Sequence, residues 1–319
     1  MVTHKTVYDH ITANNIKTFL LVLLMPILLL GIVYLVLGIS MSNDPNGWEI
    51  AWHTLRNFGI PIGGIALIWG MISYFFGDKM MLGFAGAELV PNDGQLFHKK
   101  IYNAVENVAI AAGLPTPKVY LIKDVSLNAF ATGHNPKTAS IALTTGIVAK
   151  LDPLELEAVI AHEMGHIGNR DIRLNMIIIT GLGVCAMLAE ILFRFAHSGS
   201  RRSSKEENGA KSIIFLIAIG LYIFNFVIAP IIRLAISRTR EYAADATAAY
   251  ITRNPAALAS ALRKISDDAR VEVLDTSKNM AHACIYDPLD PERMAFFGST
   301  HPPIKKRIER LNQMAGLFS

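Results

Sequence analysis

Two histidines four residues apart, His162 and His166, can share one metal ion only if the segment carrying them folds as a helix. In the run His162-Glu163-Met164-Gly165-His166 a helix would set both imidazoles on one face, with Cβ atoms about 5–6 Å apart. Glu163, turned by roughly 100° from His162, could then reach a water beside the metal without being a ligand. A zinc ion with such a carboxylate beside its water has the parts of a hydrolytic metallopeptidase. The same residues can also lie on a helix and share no task. The helix itself and a third ligand must therefore be sought in the rest of the chain.

The helix is well marked. Asp152 precedes Pro153, and Glu155 stands three residues after Asp152, so a cap, a proline at the first helical position and a capping-box acid coincide. Leu154, Leu156, Ala158, Val159 and Ala161 then supply the apolar content of a buried helix, with His162 to His166 in its second half. For the third ligand, the pattern with a histidine six residues after the second fails, because Asn169 and Ile172 occupy the Gly and His positions. A glutamate on a second helix is the other solution, with an aspartate one turn on that holds a histidine ring from behind the metal. Glu241 and Asp245 have that spacing. An acid pair on a helix is ordinarily solvated surface, but beside the upstream histidines it becomes the expected partner.

Hydropathy places this chemistry at a membrane. Of the 319 residues 52% are hydrophobic, above the ordinary soluble range. Phe19–Ile39 and Gly59–Phe76 read as transmembrane helices, the first too long for a cleavable signal. Leu174–Phe193 and Ile213–Ile236 form a second apolar pair, interrupted by Glu190, Asn225, Pro230 and Arg233. The histidines precede this hairpin and Glu241 follows it, so a shared metal requires the hairpin to cross twice or not at all. The pair reads as two further membrane segments; Arg194, Arg201, Arg202, Lys205 and Lys211 in its loop argue mildly against crossing, and core helices or a membrane-dipping hairpin are the alternative. Lys5 and Lys17 against Arg56 place the termini and the active site on the cytosolic side. Cys185 and Cys284 are poor disulfide candidates, as suits a reducing compartment. The net charge of +4, without a basic patch interleaved with aromatics, gives nucleic-acid binding no support.

Outside these stretches the spacing predicts a helix over 96–114, a strand over 118–122, and strands 128–132 and 140–144 paired across Gly133–Pro136. Such a strand beside the zinc helix could take an extended peptide at its edge, or merely complete the sheet. A helix starts at Pro255, and another follows His301-Pro302-Pro303. His301 is either a packing residue or the donor of a hydrogen bond to the oxyanion formed as water attacks a peptide carbonyl. Arg307 could orient a carboxylate of the site, but among Lys305, Lys306 and Arg310 it reads as part of a solvated face.

These residues resemble an HtpX-type membrane zinc metalloprotease, a bacterial relative of the CAAX prenyl proteases. The resemblance rests on His162-Glu163-Met164-Gly165-His166, on Ser237-Arg238-Thr239-Arg240-Glu241-Tyr242-Ala243-Ala244-Asp245 and on Ser299-Thr300-His301-Pro302-Pro303, in that order and with an apolar segment between the first two. It implies a mainly α protein with a small β-sheet: a multi-helix integral membrane protein with a gluzincin-type zinc metalloprotease domain. The expected organisation is an anchor of two transmembrane helices over 1–77 and the protease domain over 78–319, interrupted by the hairpin 174–236. One Zn2+ per chain is expected on His162, His166 and Glu241, with Glu163 as general base and Asp245 behind a ligating histidine. The resemblance further implies endoproteolysis of damaged or misfolded membrane proteins at the cytoplasmic face of the bacterial inner membrane, as membrane protein quality control. A prenyl-protein protease shares this chemistry. A site-two-type intramembrane protease fits less well, because Glu155, Glu157, Asn169, Arg170, Asp171 and Arg173 flank the motif. A zinc-stabilised scaffold without catalysis would need neither Glu163 nor an open fourth position.

Overall fold

Four short strands, β1 (Ala87–Leu89), β2 (Lys118–Ile122), β3 (Ala129–Thr132) and β4 (Ser140–Thr144), form a mixed sheet in the order β1-β2-β4-β3. The pairing across Gly133–Pro136 is as expected: β3 runs antiparallel to β4, with Ala129 opposite Leu143 and Ala131 opposite Ile141. Gly133 has φ +133, and a Cβ there would stand 2.9 Å from Ala139 Cα, so this turn needs glycine. β2 pairs with β4 in parallel, and β1 with β2 antiparallel.

The computed structural model describes residues 30–197, 205–225, 238–267 and 302–316, with residues 12, 16, 20, 27 and 28 before them. The helices along the chain are α1 (residues 30–40), α2 (Gly47–Thr54), α3 (Ile60–Phe84), α4 (Leu96–Ala112), α5 (Thr145–Lys150), α6 (Pro153–Gly168), α7 (Asp171–His197), α8 (Lys205–Ile223), α9 (Arg238–Thr252), α10 (Pro255–Asp267) and α11 (Ile304–Ala315). The chain is therefore mainly helical with a small sheet. It divides into two units, one holding Phe75–Ile179 and the chain from Leu234 onward, the other Lys17–Tyr74 and Thr180–Arg233.

In the first unit α6 is the central element. It packs against α4, α9, α10 and β3, and from Leu156 to Ile167 every residue but Glu157 is buried. Full burial of a Leu, Ile, Val or Met side chain contributes about 1.5–3 kcal/mol, so Leu156, Val159, Ile160 and Met164 bind this helix firmly to its neighbours. Its start is locked by the capping box: Glu155 N donates to Asp152 Oδ1 at 2.9 Å and Asp152 N to Glu155 Oε2 at 3.0 Å. The Glu155 carboxylate also accepts from Ser260 Oγ and Lys264 Nζ of α10, at 2.7 and 2.6 Å. An acid expected only to cap its own helix therefore also ties that helix to a second one. α4 buries Ile101, Val105 and Val108, as its spacing predicts, and ends at Gly113 in the left-handed region.

In the second unit α1 approaches α8 where Gly220 faces Val33, and Gly38 leaves room for the ring of Trp48. Tyr222 Oη donates to Glu190 at 2.8 Å, and Arg194 pairs with the same carboxylate at 2.6 Å. Among the described residues no helix is long and apolar enough to cross a membrane. α7 runs unbroken through the third apolar stretch, but its 27 residues include Asp171, Arg173, Glu190 and Arg194. Parts of Phe19–Ile39 and Ile213–Ile236, and the side chains of 59–63 and 65–67, lie outside the described residues.

Candidate active site

The helical spacing does what the motif requires. On α6 the His162 and His166 rings stand perpendicular with their Nε2 atoms 3.2 Å apart. α9 brings Glu241 against them, Oε1 lying 3.4 Å from His166 Nε2 and Oε2 3.7 Å from His162 Nε2. These three residues form the cluster of potential ligand atoms among the described residues, all within 4.8 Å of one another. A tetrahedral zinc with ligands at 2.0–2.2 Å separates them by about 3.3–3.6 Å. The donor set and its spacing thus fit a zinc ion.

Each ring is backed by a carboxylate, and each carboxylate by an arginine. Asp245 Oδ1 lies 3.0 Å from His162 Nδ1, off the line of a well-formed N–H bond. Arg307 of α11 donates to both Asp245 oxygens, Nε to Oδ2 at 2.9 Å and Nη2 to Oδ1 at 2.7 Å, and its Nη1 stands 3.5 Å from Glu241. On the other ring, Asp171 Oδ2 lies 3.2 Å from His166 Nδ1, and Arg240 Nη1 donates to Asp171 Oδ1 at 3.3 Å.

Burial and charge set the proton affinities. Glu163 is 3% exposed, and desolvation raises its carboxyl above the usual range, against the lowering influence of the two histidines. The backbone N–H of Ala131, on β3, donates to it. Burial would lower the His166 ring, but the carboxylates of Asp171 and Glu241 outweigh it and raise the ring to about 10. Burial would likewise raise Asp245, yet the Arg307 charge and the contacts to His162 and Arg307 hold it at about 2. The carboxylates Glu163, Glu241, Asp171 and Asp245 outnumber the guanidinium groups of Arg240 and Arg307 by two. Metal ligation requires His166 to give up its added proton; with both histidines neutral and the four carboxylates ionised, the described cluster carries a formal charge of −2, which a divalent cation would cancel.

His162, Glu163, His166, Glu241 and Asp245 therefore come together. His301 lies outside the described residues. Arg307 corrects the expectation of a solvated face. It is 1% exposed, because Asp245 draws it inward while Lys305 and Lys306 of the same helix stay at the surface. Arg310 instead lies over the Tyr242 ring of α9, 3.7 Å from its centroid. The structure adds Asp171 and Arg240 to the site. Their only local signals are that Asp171 opens the helix after the histidine motif and that Arg240 adjoins Glu241.

Residues 96–315 match the family described as Peptidase family M48. A protease HtpX homolog of Bacteroides fragilis (strain YCH46) is 38% identical over 314 residues, 94% of this chain and 96% of that protein. One of Caldanaerobacter subterraneus subsp. tengcongensis is 38% identical over 315 residues, 98% of this chain and 99% of that protein. A crystal structure of S. mikatae Ste24p aligns with 88% of this chain and 62% of its own, at 23% identity and a TM-score of 0.43. The chain belongs to peptidase family M48, among the HtpX-type proteases, and is a metallopeptidase that hydrolyses peptide bonds.

Proposed function

We propose that this peptidase is a membrane-bound zinc endopeptidase that cuts damaged or misfolded membrane proteins at the cytoplasmic face of the inner membrane. The observation that carries the zinc reading is the cluster of His162, His166 and Glu241, at the spacing of a tetrahedral ligand set. A zinc ion held there would act as a Lewis acid toward the scissile carbonyl and lower the pKa of water.

The chain's own residues do the rest. Glu163, buried beside the cluster with its proton affinity raised, takes the proton from the attacking water and passes it to the leaving amine. Asp245 and Arg307 brace the His162 side of the site, and Glu241 is held between Arg307 and the rings. β3 is an edge strand of the sheet and donates a backbone hydrogen bond to Glu163, so an extended substrate that pairs there would meet the base directly. His301 would donate to the developing oxyanion. The apolar stretches 19–39, 59–76, 174–193 and 213–236 support a multi-pass anchor, and the Lys5, Lys17 and Arg56 asymmetry supports the cytoplasmic orientation.

The test compares wild type and Glu163→Gln, both loaded with zinc, for cleavage of an unfolded protein in detergent. Cleavage by wild type alone, abolished by a chelator, is the expected result. Equal cleavage by both would overturn the role of Glu163. Zinc bound by both with cleavage by neither would favour the scaffold reading.

A further inference from the structure

We infer that Asp171 is a positioning residue for His166 and that Arg240 holds Asp171 in that task. The inference rests on the reading of His166 as a metal ligand. Asp171 opens α7, where an aspartate ordinarily sits at the surface and interacts with the helix dipole. Here it is 1% exposed and lies between an imidazole and a guanidinium, Oδ2 at 3.2 Å from His166 Nδ1 and Oδ1 at 3.3 Å from Arg240 Nη1.

The backbone is built to put it there. Only Asn169 and Arg170 separate α6 from α7, and Arg170 has φ +59, a left-handed conformation uncommon outside glycine. Its N–H still donates to Ile167 O, so the chain turns at once and α7 begins within reach of the histidine. From α9, Arg240 reaches Asp171 and also Asn175, one turn along α7, whose Oδ1 is 3.5 Å from Nη2. A single arginine thus joins the first turn of α7 to the residue next to Glu241.

The chemistry follows from the two ring nitrogens. His166 Nε2 faces His162 and Glu241, so Nδ1 must carry the proton if Nε2 is to offer its lone pair to a metal. A carboxylate on Nδ1 selects that tautomer, fixes the ring plane and makes Nε2 a stronger donor. Asp245 stands in the same relation to His162, but it comes from the helix that bears Glu241. Asp171 comes from a different helix, α7, and Arg240 ties it back to α9, so one helix braces the carboxylates behind both rings.

The experiment measures Co2+ and Zn2+ binding by the full chain in detergent, by chelator competition and by the visible absorption of bound cobalt. Wild type, Asp171→Ala, Asp171→Asn, Arg240→Lys and His166→Ala are compared. Asp171→Ala should weaken both metals by about 10–100-fold and shift the cobalt bands. Asp171→Asn, which keeps an acceptor for Nδ1–H, should recover part of the loss. Arg240→Lys should fall between wild type and Asp171→Ala. Wild-type affinity and an unshifted cobalt spectrum in Asp171→Asn and Arg240→Lys would overturn the inference even if Asp171→Ala fails to fold. Wild-type affinity in His166→Ala would overturn the ligand reading instead.

Discussion

A Cβ built on Gly165 would stand 3.2 Å from Ala244 Cα and 3.3 Å from Thr247 Cβ, so α6 and α9 touch at the residue just before His166. Ala244 lies between Glu241 and Asp245, and this contact brings that pair within reach of the histidines. A methyl group here must push α9 by a few tenths of an ångström. Overpacking of this kind costs about 1–3 kcal/mol, partly offset by the roughly 1 kcal/mol helix preference of alanine over glycine. Gly165→Ala should therefore lower the melting temperature slightly and weaken zinc binding, and Gly165→Val should do both more strongly. Calorimetry and chelator competition on the two variants check this; unchanged zinc affinity in Gly165→Val would contradict it.

Glu163→Gln should keep the side chain's shape and the metal while losing the base. Hydrolysis should fall by at least about 10²-fold with zinc content unchanged, which metal analysis alongside a cleavage assay would establish.

Glu241→Ala removes the contribution of α9 to the cluster. Wild type should gain thermal stability on zinc addition, by about 2.7 kcal/mol at a free zinc concentration a hundred times the Kd. The variant should gain far less at the same concentration. An equal gain in a thermal melt would mean that zinc binds elsewhere.

Arg307→Ala would leave the buried Asp245 carboxylate without its fork of hydrogen bonds. Breaking a buried pair from one side costs about 3–5 kcal/mol, so the variant should be strongly destabilised. Arg307→Lys keeps the charge but not the fork, and should lose less. Denaturant melts of the two order these losses; a neutral Arg307→Ala would show that the pair holds nothing together.

The depressed Asp245 carboxyl makes stability depend on pH. Its ionised form stabilises the fold fully above the ordinary value of 3.8, and this contribution is lost as pH falls through about 2. The shift is worth on the order of 2 kcal/mol. In the metal-free protein, the difference in melting temperature between wild type and Asp245→Asn should narrow between about pH 5 and pH 2. A difference that stays constant over that range would count against the assignment.

Several features of this molecule are written locally. The start of α6 follows from Asp152, Pro153 and Glu155, which satisfy one another within a single turn. The β3–β4 pair follows from two short apolar runs around Gly133 to Pro136, because a turn sets the register of its own strands. The Glu241 and Asp245 pair is legible only as a spacing; its role depends on meeting a helix that closes much earlier in the chain. Arg307 has two readings along the chain, a carboxylate partner or a solvated face, for the same reason. Cations at 305, 306, 307 and 310 look alike along the chain, and the one that turns inward is selected by a carboxylate 62 residues before it.

The amino-acid sequence by itself determined the types of donor, their helical spacing and the acid beside them, since a helix places i and i+4 on one face whatever surrounds it. Only the tertiary structure decided which charges are buried and which carboxylate stands behind which ring. Asp171, Arg240 and Arg307 acquire their partners because residues of α7, α9 and α11 meet behind the two histidines of α6. Such pairings reflect packing between distant segments, and no periodicity within a single helix encodes them.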